Sequence, residues 1–205
     1  MRLSSLTAFF LSLPQKLTMR ISSLIILSGF TIMGIYLIYL GMILRKKGFK
    51  PLGSPTIQPV YFYIGKVALF TTWGFLIVNA IFVMSGKPSE QILYPIVAAI
   101  LVSVGAVLLI LAFRDLGDSL RVGLPGEDTQ LKTKGIYHLS RNPIYVGVDL
   151  IAIASVLFIP AILNIVCAII GIVVHHAIIL SEERFLEGRF GLVWLTYKRK
   201  TRRYF

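Results

Sequence analysis

Long apolar runs alternate with short polar stretches along this chain, and the runs have the length of membrane spans. Ile21 to Leu44 carries no charge, and the basic block Arg45, Lys46, Lys47 and Lys50 closes it. A second run, Val60 to Met84, is interrupted only by Lys66. The polar turn SGKPSEQ separates it from a third, Ile92 to Phe113. A helix needs about 20 apolar residues to cross a hydrocarbon core, so each run predicts a transmembrane helix. A polar stretch follows, from Arg114 to about Tyr145. Val146 to Phe158 and Ala161 to Leu180 then read as two helices broken at Pro160, with Pro143 placed to open the first a turn earlier. The tail, Ser181 to Phe205, is polar and basic. Its opening continues the last helix, with Phe185, Leu186 and Phe190 on one stripe.

The pattern predicts an all-α integral membrane protein of about five transmembrane helices, ending in a helical hairpin. It divides into 1–113, an N-terminal segment with three spans, and 114–205, where the polar chemistry lies. Residues 1–20 are less apolar and carry Arg2, Lys16 and Arg20, and no small-residue cleavage site follows. MRLSSL at 1–6 echoes MRISSL at 19–24. Two readings stay open: a start at Met19, or an amphipathic segment at the interface.

Composition sharpens this picture. The chain is 56% hydrophobic and only 15% charged, outside the usual soluble range. Its net charge of +12 would suggest nucleic acid in a soluble protein. No recognition module is visible, and in a membrane protein basic residues set orientation and meet anionic lipid. Nucleic acid is therefore not an expected partner. One side of a five-span chain would hold Arg45, Lys46, Lys47 and Lys50, the five basic residues of the 114–145 stretch, and seven in the tail. The other side holds Arg2, Lys16, Arg20 and Lys87. The positive-inside rule puts the richer side in the cytoplasm, so both polar segments face one compartment and can share a site. Lys66, about two turns into its run, is expected to snorkel to the interface. The lone Cys167 lies in an apolar run and reads as a small buried hydrophobe.

Polar groups gather in two places. The first is QLKTKGIYHLSRNPIY, Gln130 to Tyr145. Gly135 gives a turn there, and Pro143 restricts Asn142. Irregular backbone at membrane depth is tolerated where it is buried in protein or lines a cavity. The plain alternative is a juxtamembrane loop, with Arg141 snorkelling and Tyr137 and Tyr145 in the aromatic belt. The second is HHAIILSEERFLEGRFG, His175 to Gly191. Adjacent Glu182 and Glu183 at a membrane edge repel and are costly to desolvate. The plain alternative is a solvated helix end with Arg184 as partner. His175 and His176 precede the two glutamates by two turns, about 11 Å of rise, too far to share one metal ion unaided. No GxGxxG, P-loop, HExxH or GxSxG occurs.

Together the two clusters resemble the isoprenylcysteine carboxyl methyltransferase family and its phospholipid methyltransferase relatives. LKTKGIYHLSRNPIYVG, Leu131 to Gly147, is similar to that family's G-x-Y-x-x-x-R-H-P-x-Y-x-G segment. EERFLEGRFGLVWLTY, Glu182 to Tyr197, is similar to its E-E-x-x-L-x-x-x-F-G segment, with Trp194 at a tyrosine position. RDLGDSLR, Arg114 to Arg121, looks like an upstream R-x-L-G-x-x-x-R. The resemblance implies methyl transfer from S-adenosylmethionine to a lipidic acceptor, with S-adenosylhomocysteine as product, in a pocket at the cytoplasmic edge. It implies cofactor contacts from Gln130, Leu131, Lys132, Tyr137, Asn142, Pro143, Ile144, Tyr145 and Glu182, and catalytic parts for Arg141, Glu182 and Glu183. For Arg141 a structural or carboxylate-orienting part is favoured. No metal is expected, given that separation of the histidines from the glutamates.

Two departures matter. Asn142 stands where the family has histidine; Asn keeps a donor and an acceptor but does not titrate near neutral pH. Ile178 stands where prenylcysteine enzymes carry an arginine for the substrate carboxylate, so an isoprenylcysteine-like carboxylate is one acceptor among several. Two other functions compete: a membrane NADPH-dependent reductase of related architecture, and a non-enzymatic lipid-binding protein.

Overall fold

The computed structural model describes residues 15–46, 55–87, 92–117 and 131–205. Six α-helices form the described chain: α1 (Gln15–Lys46), α2 (Pro59–Met84), α3 (Pro95–Leu116), α4 (Pro143–Phe158), α5 (Ile162–Phe190) and α6 (Leu192–Lys200). A single 3-10 turn, Gly135–His138, precedes α4. No strand occurs among the described residues. Proline opens α2, α3 and α4, a position where its missing N–H has no intrahelical partner to lose. Pro160 lies between α4 and α5, which form the expected hairpin. Helix α1 is described from Gln15, so residues 15–20 continue the first span; the rest of the 1–20 segment lies outside the described residues.

Helices α1, α2, α3 and α5 are long and apolar enough to cross a membrane, and α4 is a shorter apolar helix of 16 residues. At 1.5 Å per residue α4 is about 24 Å long, less than a hydrocarbon thickness of about 30 Å. Their outer faces are greasy. Ile35, Val67, Phe70 and Val173 are all more than 60% exposed, a surface suited to lipid. The chain is an integral membrane protein.

Small residues and interior hydrogen bonds hold the bundle, as they must where lipid removes the hydrophobic drive between helices. Helix α4 packs chiefly on α3, and α5 on α2. Gly105 of α3 and Gly147 of α4 meet backbone to backbone: a Cβ on Gly105 would lie 2.7 Å from the Gly147 carbonyl oxygen. Around this crossing Val102, Leu109, Ile151, Ala154 and Phe158 form the main core. The hairpin bend would strand a carbonyl inside the membrane. Buried Asn164 meets this need, donating from Nδ2 to the Ile159 carbonyl (2.8 Å) and to Ser155 Oγ (3.0 Å). Ser155 in turn donates to the Thr72 carbonyl of α2 at 2.6 Å.

Helix α5 also sets the depth of the polar groups. Glu183 is 21 residues past Ile162, about 32 Å along the axis, so it lies about one hydrocarbon thickness from the hairpin. The polar cluster described next therefore sits at a membrane edge.

Candidate active site at the membrane edge

The loop before α4 is tied down at several points. Gly135 has φ of +64°, and a Cβ there would fall 2.0 Å from Asp115 Oδ2. The space is taken because Asp115 accepts a hydrogen bond from the Ile136 amide at 2.8 Å. Glycine is thus required twice over, for its left-handed φ and for the approach of the carboxylate. Ile136 and Tyr137 pack under the loop against Leu108 and Ala112 of α3. The Tyr137 carbonyl accepts the Tyr197 hydroxyl from α6. Burial pushes the Tyr137 phenol well up and the Tyr197 phenol to about 12, so both remain protonated.

The next three residues are stitched to the C-terminal segment. The Arg141 amide donates to the Arg202 carbonyl at 3.0 Å, and the Ser140 hydroxyl to the Arg203 carbonyl at 3.3 Å. The Arg141 side chain, 7% exposed, forms an ion pair with Glu183 at 2.9 Å. Its Nη1 donates to the Lys198 and Thr201 carbonyls. Arg203 pairs with the other Glu183 oxygen, also at 2.9 Å. Asn142 donates from Nδ2 to Glu183 Oε1 (3.3 Å) and to the Arg203 carbonyl (3.2 Å). Glu183 thus holds two arginines and an amide, and both of its oxygens are occupied.

Glu182, its neighbour, is placed differently. It forms no ion pair among the described residues; its Oε1 accepts the Tyr145 hydroxyl at 2.8 Å. The Lys66 ammonium acts on it electrostatically from α2. Lys66 reaches back toward the Phe62 ring, 5.3 Å from its centroid, as a snorkelling lysine would. It does so on the inner side of the bundle, 6.0 Å from the Tyr145 ring. Further in, Asp149 and His175 pair at 2.8 Å. At the outer rim His176 Nδ1 lies 2.6 Å from the Tyr204 hydroxyl.

Hydrogen bonds therefore bring together Arg141, Asn142, Tyr145, Glu182 and Glu183 of the residues the resemblance selects. Pro143 is buried at the first position of α4, where it fixes the turn out of Asn142. Ile144 packs into the core and Tyr137 into the loop's own apolar cluster. Leu131 and Lys132 are half-buried at the start of the loop. Gln130 lies outside the described residues. Ile178 is wholly buried, so its position offers no cation to a carboxylate.

Sequence reasoning did not select Asp115, Lys66, Asp149 or Arg203. Two of these carried a signal: a charged residue inside an apolar helix is costly enough to be a functional candidate by itself, and Lys66 and Asp149 both qualify. Arg203 carried none, because one arginine in a basic tail looks like the others.

Residues 93–192 match the family model for phospholipid methyltransferases, a family related to the isoprenylcysteine carboxyl methyltransferases. No curated protein and no solved structure matches the chain. The matched stretch contains α3, α4 and α5 and, with them, the Arg141–Glu183 and Tyr145–Glu182 pairs.

Proposed function

We propose that this chain, an integral membrane protein whose residues 93–192 match the family model for phospholipid methyltransferases, transfers a methyl group from S-adenosylmethionine to a lipidic acceptor. When bound, the donor supplies an electrophilic methyl on a sulfonium, and a cationic amino group beside a carboxylate. The observation that carries the reading is the contrast between the two adjacent glutamates. Glu183 is consumed by Arg141 and Arg203, whereas the Glu182 carboxylate has only the Tyr145 hydroxyl bonded to it. A buried carboxylate that makes no ion pair among the described residues fits a cationic ligand, and the Tyr145 ring adds a π face beside it.

Each residue then has a part. Glu182 holds a positive group of the donor, and Tyr145 fixes the orientation of that carboxylate. Arg141 and Glu183 fasten the loop, α5 and the C-terminal segment into one wall. Pro143 and the 3-10 turn hold loop backbone groups and the Tyr137 side chain in place, and Leu131 and Lys132 lead into that turn. Gln130 is assigned to the same strip by resemblance. Methyl transfer is an in-line displacement, so orientation and exclusion of water supply most of the catalysis. A membrane-edge position suits a water-soluble donor and an acceptor dissolved in the bilayer. By the distribution of basic residues that edge is the cytoplasmic one.

Isothermal titration of the purified protein with S-adenosylhomocysteine tests this. We expect saturable binding that Glu182→Ala weakens at least tenfold. No saturable binding, or a Glu182→Ala variant that binds like wild type, rejects the reading.

A further inference from the structure

Below the donor corner lies a second set of ionisable groups that the role of Glu182 does not use. His175 is 1% exposed and sits about 12 Å nearer the hairpin than Glu183, on the α5 face that also carries Ile178 and Glu182. Its Nδ1 is 2.8 Å from Asp149 Oδ1 of α4. With Asp149 ionised its carboxylate only accepts, and in that state Nδ1 carries the proton and Nε2 presents a lone pair. Nε2 is buried and has no hydrogen-bond partner among the described residues. An unmatched buried polar atom is uncommon and calls for a cause. The ring stacks edge-on against Tyr145, centroids 4.9 Å apart, and Tyr145 is the residue that holds Glu182. The imidazole is thus one aromatic ring away from the carboxylate assigned to the donor.

We propose, resting on the methyltransferase reading above, that His175 is the catalytic base that takes a proton from the methyl acceptor. Asp149 is its positioning residue. The acceptor group is then a hydroxyl, thiol or amine borne by a lipid-like molecule. A carboxylate is already anionic and needs no base. It would want a fixed cation, yet the α5 position between His175 and Glu182 is filled by the buried Ile178. The neighbouring cation, Lys66, already interacts electrostatically with both Glu182 and Asp149. In the step, a lone pair on the acceptor atom X forms the X–CH₃ bond, and the proton of X–H passes to His175 Nε2. The methyl–sulfur bond breaks with its electron pair going to sulfur, which leaves as a neutral thioether. The new imidazolium is balanced by Asp149. Base and orienting carboxylate are arranged as general-base catalysis requires.

The test uses the full chain in detergent–lipid micelles with S-adenosylmethionine labelled in the methyl group. Four acceptors are offered: dodecanethiol, dodecanol, dodecylamine and palmitate. We expect label on at least one of the first three and none on palmitate. His175→Gln and Asp149→Asn should lower kcat about 100- to 10,000-fold, the range of general-base catalysis. Asp149→Glu should recover part of this, and all three variants should bind S-adenosylhomocysteine with wild-type affinity. A purely structural histidine would instead lose ligand binding and kcat together. Label on palmitate alone, label on none of the four with the donor bound, or unchanged kcat in His175→Gln overturns the proposal. Failure of the wild type to bind S-adenosylhomocysteine instead overturns the methyltransferase reading beneath it.

Discussion

Adjacent glutamates with opposite surroundings are the residue-scale fact from which the site follows. Consecutive helix positions point about 100° apart, so Glu183 turns toward Arg141 and Arg203 while Glu182 turns toward Tyr145. Their substitutions should separate. Arg141→Ala leaves Glu183 buried with one arginine fewer and strips donors from the Lys198 and Thr201 carbonyls. Loss of one partner of a buried pair costs about 3–5 kcal/mol, so the melting temperature in detergent should fall sharply. Glu182→Gln keeps the Tyr145 hydrogen bond and removes only charge. It should melt like wild type while losing affinity for S-adenosylhomocysteine. A thermal melt and a titration on both variants check this, and equal melting losses in the two would show that the glutamates share one structural task.

At the scale of elements, the loop and α4 are positioned by contacts rather than by propensity. The 3-10 turn stands on Asp115 of α3 through a glycine that cannot be replaced without strain. Gly135→Ala places a Cβ against the Asp115 carboxylate and holds alanine at φ of +64°. Left-handed backbone alone costs about 1–2 kcal/mol. The double change Gly135→Ala/Asp115→Gly removes the clash but keeps the strained φ, so it should recover only part of the lost melting temperature; full recovery would mean that the φ is unimportant. The α3–α4 crossing is set in the same way by Gly105 against Gly147. Position and register were legible in the sequence for α2, α4 and the hairpin, because prolines punctuate them. They were not legible for α1, whose described start at Gln15 precedes the apolar run by a turn and a half.

At the scale of the whole molecule, the C-terminal segment closes the site. Thr201, Arg202 and Arg203 supply backbone carbonyls to Arg141, Ser140 and Asn142, and the Arg203 guanidinium completes the Glu183 cluster. A chain ending at Lys200 should therefore lose S-adenosylhomocysteine binding although every residue matched by the family model is retained. Unimpaired binding by the truncated chain would remove the tail from the site. Topology is a second whole-molecule prediction. A reporter fused after Phe205 should read as cytoplasmic, since the loop after α1, the stretch before α4 and the tail hold most of the basic residues; an external reading would reverse the orientation.

The sequence by itself determined that the protein is helical and membrane-embedded. It determined where the four helices long and apolar enough to span lie, that α4 and α5 form a hairpin, and which two polar stretches resemble a methyltransferase family. These follow from apolar length, proline punctuation and local motifs, all of which are properties of neighbours along the chain. The pairing of side chains was decided only by the tertiary structure. Hydropathy records that Glu182 and Glu183 are both costly near a membrane, but not which one finds arginines. It records that Lys66, Asp149 and His175 are out of place, but not that three separate helices bring them around Tyr145. The reason is physical: burial makes an ionisable group depend on whatever lies within a few ångströms of it, and those neighbours come from segments up to about 100 residues apart in the chain.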